Sequence, residues 1–493
     1  MILKGAQILI EELVRHNVKT VFGYPGGAVL DIYDELYKNA HRIEHVISAH
    51  EQGAAHAADG YARVTGGPWV VIATSGPGST NLITGIANAY LDSVPLVAIT
   101  GNVALPLLGK DSFQEVDIVG ITQPVVKYNY TVRDVKELEF TIAEAFSIAT
   151  SGRKGPVLID IAKSVQIDTC EYYGNYTVTP DEEVNEPSLA KALQAIGRCQ
   201  RPLIYCGGGV VAAEAEKEVL ALSQKLSAPI CFSMMGLSAV PKSYELNLGM
   251  CGMHGKYASI LAQAEADLIL AIGVRFSDRA TGDVAEYTKN HTIIHIDIDE
   301  AELGKNVPSI IELCGDAKAV LGGLIANLPT FRNEAWVQFV LEHKKNDEAE
   351  FEPERFTPRN IIRCINRSVP AETVVTTDVG QHQMWVMQHY GFEKPRTLLT
   401  SGGLGTMGFG MGAAIGGCVG TGRKETVLFT GDGSFGMNLN ELATAVSQET
   451  PLLIVLMNNG VLGMVRQWQT TFYGKRYSST TLQRKTDFVA LAK

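Results

Sequence analysis

The sequence predicts an α/β protein built from three doubly wound parallel-sheet domains. Three observations lead there. Short apolar, β-branched runs alternate with helical stretches through most of the 493 residues, the signature of βα units on a parallel sheet covered on both faces. Two polar tracts, "CEYYGNYTVTPDEEVNEPS" (170–188) and "EHKKNDEAEFEPERFTPRN" (342–360), interrupt that alternation and read as linkers. The segments on either side of the pair also resemble each other. "GPGSTNLITGIANAYLDSVPLVAITGN" (76–102) aligns with "GDGSFGMNLNELATAVSQETPLLIVLMNN" (431–459), each a G-x-G-S turn, a helix, a proline, an apolar strand and a terminal Asn. The domains are therefore placed at 1–168, 189–341 and 361–493, with linkers at 169–188 and 342–360, and the first and third are read as related.

Taken in order, "MILKGAQILIEELVRH" opens the chain as an amphipathic helix, too charged for the core of a signal peptide. Strands follow at "TVFGY", "HVIS", "WVVIAT", "PLVAIT" and "PVLIDIA" (156–162). The second unit takes "PLIYCGGGV", "PICFS", "ADLILAIGVRF" and "TIIHIDID"; the third takes "TVVTTD", "RTLLTS", "TVLFTGD" and "PLLIVLMNN".

Composition excludes several functions. A net charge of −11 argues against a nucleic-acid partner, which needs a basic face. No apolar run approaches the roughly 18–20 residues of a membrane helix. The eight cysteines are scattered with no C-x-x-C pair, which fits reduced thiols in a cytoplasmic protein rather than a disulfide framework or zinc site.

Chemistry concentrates in a few places. In "GDGSFGMN" followed by "NNG", Gly431 and Gly433 allow a sharp turn at a strand end, while Asp432 and Asn459 offer oxygens to a hard cation such as Mg²⁺. A helix starting at Ser434 would aim amides at a phosphate. "GGLGTMG" (402–408) contains G-x-G-x-x-G, but no acidic residue follows about 20 residues later. Close packing, or backbone approach to a ligand, explains those glycines better than a dinucleotide site. In the middle unit, "YCGGGV", "GMCGMHGKY", "GVRFSDRATG" and "HIDID" place glycines, Arg275, Arg279 and Asp297 at strand ends, a set that suits an extended nucleotide or a purely structural domain. "SAHEQGAAHAADGYARVTG" puts Glu51 at the start of an alanine-rich helix. By composition alone that carboxylate reads as a macrodipole partner, worth about 0.3–1 kcal/mol.

Together, "VFGYPGGA", "HEQGAAHAADGYAR", "TSGPGSTN", "DSFQE", "GMHG", "VGQHQMW", "SGGLGTMGFG" and "GDGSF…NNG" stand in the order found in the thiamine-diphosphate (ThDP) 2-keto-acid enzymes. The chain most closely resembles the large catalytic subunit of the acetohydroxyacid (acetolactate) synthases, over nearly its whole length. The resemblance implies a pyrimidine-binding first domain, a central FAD-binding domain and a diphosphate-binding third domain. It implies ThDP, Mg²⁺ and FAD as cofactors, the flavin without a net redox role. The implied reaction decarboxylates pyruvate and condenses the two-carbon unit with a second 2-keto acid, pyruvate or 2-ketobutyrate, the first common step of valine, leucine and isoleucine synthesis. Implied partners are a second copy, in a homodimer or tetramer, and a small regulatory subunit.

Residue roles carry over by position. Glu51 resembles the glutamate that stabilises the reactive tautomer of the aminopyrimidine, and the small residues around it would let the helix approach a flat ring. Gly27, Pro77 and Asn81 would line the pyrimidine side. Gln381, His382, Gly433, Ser434, Gly463 and Met464 resemble diphosphate-side contacts, and Asp432, Asn459 and the carbonyl of Val461 resemble the Mg²⁺ ligands. Met407 would sit under the cofactor and hold it in its bent form, and Gly405 and Met437 also match cofactor-binding positions. Phe113, Gln114 and Lys163 would face substrate. Arg279 would take the carboxylate of the second keto acid, and Trp468 would shape its pocket. Arg153, Gly207, Gly208, Met253 and His254, with Arg275, Asp297 and Asp316, match flavin-contacting positions. Departures from the family pattern are Ala104 for Pro at the access channel, Ser277 for Asp near the flavin and Gly412 for Pro. The sequence also stops within an apparent helix at "DFVALAK", short of where relatives end.

Overall fold

The computed structural model describes residues 1–178, 189–309, 311–331, 333–347, 355–483 and 486–493. Three wholly parallel sheets carry the chain, and each has its first strand in the interior. The first sheet runs Glu44–Ile47, Thr20–Tyr24, Trp69–Ala73, Leu96–Asn102, Pro156–Ala162, Tyr128–Val132 in spatial order. The central sheet runs Asn247–Met250, Ile230–Phe232, Pro202–Cys206, Leu268–Ile272, Thr292–Asp297, Ile311–Cys314. The third runs Leu398–Leu399, Val374–Thr377, Thr426–Gly431, Leu452–Met457.

In every sheet the strand order reverses beside the first strand, which opens a crevice at the carboxyl ends where ligands of such folds bind. The first and third sheets share the same order over their first four strands, second–first–third–fourth, in line with the repeat in the sequence. The central sheet has the order third–second–first–fourth–fifth–sixth instead.

The apolar runs are strands because both faces are covered: Trp69–Ala73, Leu96–Asn102 and Pro156–Ala162 are buried at every position. Strands that lack such a run escape the sequence reading. Tyr128–Val132 is a half-exposed edge, and Asn247–Met250 and Ile311–Cys314 are short. The N-terminal segment begins as a strand, Ile2–Lys4, paired antiparallel with Thr169–Glu171, and only Gly5–Arg15 is helical. Helix Glu334–Asp347 occupies the first residues of the charged tract at 342–360, and Pro358–Ser368 its last. Residues 348–354 of that tract, and 179–188 of the other, lie outside the described residues.

Two small-residue helices, Glu51–Thr65 and Phe409–Gly420, cross backbone to backbone. A Cβ added at Gly416 would sit 1.8 Å from the Ala57 carbonyl oxygen, at Gly412 2.6 Å from that of Gly53, and at Gly60 2.3 Å from that of Ala413. The alanines and glycines of both helices thus join the first domain to the third.

Candidate active site

Glu51 is the first residue of its helix, capped by the His50 side chain, which accepts from the Gln52 amide. Its carboxylate accepts a 3.0 Å hydrogen bond from Asn81 Nδ2. Asn81 ends the short helix Pro77–Asn81, which begins after Gly76, in the left-handed region at φ 61°. A Cβ on Gly76 would press against Gln114 at 2.9 Å, and Gln114 itself holds a positive φ of 60°, unusual for a residue with a side chain. Lys163 donates from Nζ to the Gly27 carbonyl oxygen at 2.9 Å, so these two join across the strand ends. Phe113 is 88 % exposed. Glu51, Asn81, Pro77 and Gln114, and separately Lys163 and Gly27, are therefore brought together at the carboxyl end of the first sheet.

The start of the Glu51 helix is fixed from the third domain. Glu441, buried, accepts from the amides of Ala49 at 3.1 Å and His50 at 3.0 Å, and from the Thr444 hydroxyl at 2.6 Å. Burial pushes its carboxyl above the usual carboxylate range. Sequence reasoning missed this residue, because no spacing rule links position 441 to position 49.

At the carboxyl end of the third sheet, Asp432 and Asn459 follow neighbouring strands. Asp432 Oδ2 accepts from the Gly460 amide and Asn459 Oδ1 from the Val461 amide, both at 3.1 Å. The helix there starts at Asp432, two residues earlier than Ser434, and spans only four residues. Ser434 donates from Oγ to the Val379 carbonyl oxygen. Among the described residues no group of three or more His, Cys, Asp or Glu is arranged to hold a metal ion. A cation here would rest on one carboxylate plus amide and carbonyl oxygens, a donor set suited to Mg²⁺.

Gln381 and His382 open helix Gln381–His389 beside this turn. His382 is 5 % exposed, burial pushes it down to about 4, and its Nε2 has no partner among the described residues. The ring borders the strand-end turn through Nδ1 and Cε1, and a neutral imidazole with an unpartnered Nε2 beside that turn fits a phosphate oxygen. The glycines leave matching space, since a Cβ on Gly463 would strike Gln381 at 2.1 Å and one on Gly431 would meet His382 at 3.0 Å. Met407 reaches the same turn, its Cε 3.6 Å from where a Gly433 Cβ would stand, and a Cβ on Gly408 would meet that of Met437 at 3.2 Å. Met464 follows Gly463 in helix Gly463–Phe472.

The central crevice is a cleft of about 1340 Å³. Arg153, Gly208, Arg275, Arg279, Asp297 and Asp316 line it, together with Gly405 from the third domain. Gly207 and Gly209 pack on Gly273 across the point where the strand order reverses; a Gly207 Cβ would lie 2.0 Å from the Gly273 carbonyl oxygen. Arg153 is held by Glu302 at 2.8 Å and Asp299 at 3.4 Å. Burial raises the Asp297 carboxyl. Ser277 also lines the cleft. Met253 is exposed, and His254 is half-buried with its pKa lowered by burial and by Arg279. A cleft of this volume with glycines at the reversal fits a dinucleotide.

Arg279 and Trp468 meet. The guanidinium carbon lies 5.7 Å from the ring centroid, a cation–π contact between the central and third domains. No hydrogen bond among the described residues joins Glu51 to the Asp432 turn within one chain.

Comparison with known proteins agrees with this arrangement. Residues 3–121 match the thiamine pyrophosphate enzyme N-terminal TPP-binding domain, 189–324 the central domain and 378–493 the C-terminal TPP-binding domain. The chain is 44 % identical to the probable acetolactate synthase large subunit of Methanocaldococcus jannaschii, over 99 % of this chain and 86 % of that protein. It is 43 % identical to the acetolactate synthase large subunit of Corynebacterium glutamicum, over 99 % and 81 %. Acetolactate synthase isozyme 3 large subunit of Escherichia coli is 42 % identical, over 99 % and 88 %. With all three domain models matched and near full-length identity above 40 %, the chain belongs to the thiamine-pyrophosphate-dependent acetolactate synthase large-subunit family.

Proposed function

We propose that the chain catalyses acetolactate synthesis from pyruvate, with pyruvate or 2-ketobutyrate as the second 2-keto acid, in branched-chain amino-acid synthesis. The observation that carries this reading is Arg279, a residue of the central cleft, over Trp468 of the third domain. A simple decarboxylase needs no second acid site, whereas a cation on an aromatic wall suits the carboxylate and side chain of a second keto acid.

Thiamine diphosphate, when bound, supplies the nucleophilic carbon and the electron sink for decarboxylation and carbon–carbon bond formation. The protein supplies position and charge. Glu51, oriented by Asn81, would hold a proton toward the pyrimidine ring nitrogen. Gly27, Pro77 and Gln114 border that side. Asp432, Asn459 and the Val461 carbonyl would hold Mg²⁺, while Gln381, His382, Gly433, Ser434, Gly463 and Met464 would take the diphosphate. Met407 would lie against the cofactor, with Gly405 on the same loop and Met437 next to Gly408 completing the contact. Lys163 and Phe113 complete the substrate side. Arg153, Gly208, Arg275, Asp297 and Asp316 would hold FAD in the central cleft, with Gly207 against Gly273 and with Met253 and His254 next to Arg279 at its margin.

Exposed Phe113, adjacent to Gln114, suits burial by a second copy, and the relatives' description as large subunits supports a small regulatory partner. No helix among the described residues is long and apolar enough to cross a membrane, and all eight cysteines are free, which supports a cytoplasmic enzyme. The test is Glu51→Gln assayed for acetolactate from pyruvate. Loss of about 10²-fold or more in kcat is expected; undiminished turnover rejects the reading. A flavin absorbance band in the purified protein tests the central cleft.

A further inference from the structure

One loop, Ser401–Gly408, touches all three domains. Gly402 and Gly403 line the central cleft; a Cβ on Gly402 would strike Met235 at 2.4 Å, and one on Gly403 would meet Leu91 at 2.9 Å and Arg275 at 3.0 Å. Six residues on, the same loop ends at Met407 and Gly408 against the Asp432 turn. The loop has almost no secondary structure of its own, so its shape comes from what it is tied to.

The ties come largely from a buried polar chain in the first domain. Asp92 accepts from the Gly403 amide at 2.7 Å on one carboxylate oxygen and from the Gly402 amide at 3.1 Å on the other. Arg63 donates to Asp92 at 2.9 Å and to Asp59 at 2.5 Å. The Asp59 and Asp92 side chains are wholly buried and that of Arg63 is 9 % exposed. Asn88 donates to Asp59 at 2.9 Å and accepts from the Ser401 hydroxyl at 2.5 Å, whose oxygen in turn accepts from the Thr406 amide at 2.8 Å. Asp378 of the third domain closes the loop by accepting from the Gly408 amide at 2.8 Å. Gly408 lies in the left-handed region at φ 92°, so the chain can turn there into helix Phe409–Gly420.

Domain adhesion alone could be satisfied anywhere on the interface. Here a paired, buried carboxylate is spent on consecutive amides of the glycine arm, and a second branch fixes the residue next to Met407. Hydrogen bonds to a charged acceptor are roughly twice as strong as neutral ones and fix direction as well as distance. We propose that Asp92, held by Arg63 and flanked by Asn88, is a positioning residue that sets the Ser401–Gly408 loop, and through it both the wall of the central cleft and the placement of Met407. The cofactor chemistry it serves rests on the function proposed above.

The test uses the full chain with Mg²⁺ and thiamine diphosphate. In Asp92→Asn the amide keeps the shape but offers one acceptor where two are needed. Its apparent dissociation constant for thiamine diphosphate, read by tryptophan quenching, should rise about tenfold. The flavin content on purification should fall with it. At saturating cofactor kcat should drop far less, because bound cofactor re-forms the loop from its other side. Ser401→Ala, which removes only the branch to Thr406, should shift thiamine-diphosphate affinity in the same direction by a smaller factor and keeps the test open if Asp92→Asn fails to fold. Arg423→Gln, which cuts the separate Arg423–Glu44 link between the same two domains, should move neither readout. Unchanged affinity and flavin content in folded Asp92→Asn or Ser401→Ala, or an equal loss in Arg423→Gln, overturns the positioning role. A wild-type chain that does not bind thiamine diphosphate overturns the proposed function and this inference with it, whereas a wild type that binds beside unaffected variants overturns the inference alone.

Discussion

Gly416→Ala is a one-methyl change whose cost follows from the helix crossing. In an isolated helix it would stabilise by about 1 kcal/mol. Here the new Cβ lies 1.8 Å from the Ala57 carbonyl oxygen and 2.5 Å from its carbon, both backbone atoms that cannot rotate away. To reach even the 3.0 Å below which real Cβ contacts are not found, helices Glu51–Thr65 and Phe409–Gly420 must part by about 1.2 Å. Overpacking of this kind costs about 1–3 kcal/mol, so the clash outweighs the propensity gain. Glu51 stands six residues before Ala57 on the same helix, under two turns away, and moves with it. A displacement near 1 Å at a reacting group costs about 10²-fold in rate. Acetolactate formation at saturating pyruvate should therefore fall by about ten- to a hundredfold, and the thermal midpoint should drop. The control is Gly322→Ala, in the interior of helix Ala317–Asn327, where an added Cβ meets nothing within 4 Å. It should leave kcat intact and hold or raise the midpoint. Wild-type turnover and midpoint in Gly416→Ala would refute the claim that this crossing positions Glu51.

Three further outcomes follow from named contacts. Glu441→Ala strands the Ala49 and His50 amides; at about 1–3 kcal/mol each, less the relief of burying a charge, stability should fall and exchange of those two amides should quicken. Unchanged exchange at both would show that the carboxylate does not fix the helix start. Burial pushes Asp160 up to about 6 from 3.8, partly opposed by hydrogen bonds from Thr100 and Asn102. Because the folded-state pKa is the higher one, its contribution to stability is complete below about 3.8 and is lost as pH rises through about 6. Between pH 5 and 7.5 the gap between wild type and Asp160→Asn in urea should move about 1.4 kcal/mol in the variant's favour, and a pH-independent gap would contradict this. Arg279→Lys should raise KM for pyruvate about tenfold, since an ammonium stacks less well on Trp468 and cannot fork to a carboxylate; an unaltered KM would remove Arg279 from the second-acid site.

Much of this was legible because it is local. Strands buried on both faces, such as Leu96–Asn102, must be continuous apolar runs, and a turn that brings backbone to a phosphate must carry glycines next to its oxygen donors, as at Asp432. Periodicity and motif therefore placed the three sheets, the Glu51 helix and the two strand-end turns, and the order of motifs pointed to the family. Short edge strands were not legible: Tyr128–Val132 and Ile311–Cys314 take their conformation from a neighbour rather than from their own hydrophobicity. The contacts that tie the domains together were illegible for a stronger reason. Glu441 meets Ala49, Asp92 meets Gly403 and Arg279 meets Trp468 across as many as 392 residues of sequence. By local pattern Asp92 and Glu441 are ordinary surface residues; Arg279 and Trp468 were each read as second-acid residues by resemblance, but nothing local puts their side chains in contact. Only the packing of one sheet unit on another removes the water around Asp92 and Glu441 and makes backbone amides their remaining partners. The sequence alone determined which chemistry the chain carries; the tertiary structure decided which carboxylates hold the carriers in place.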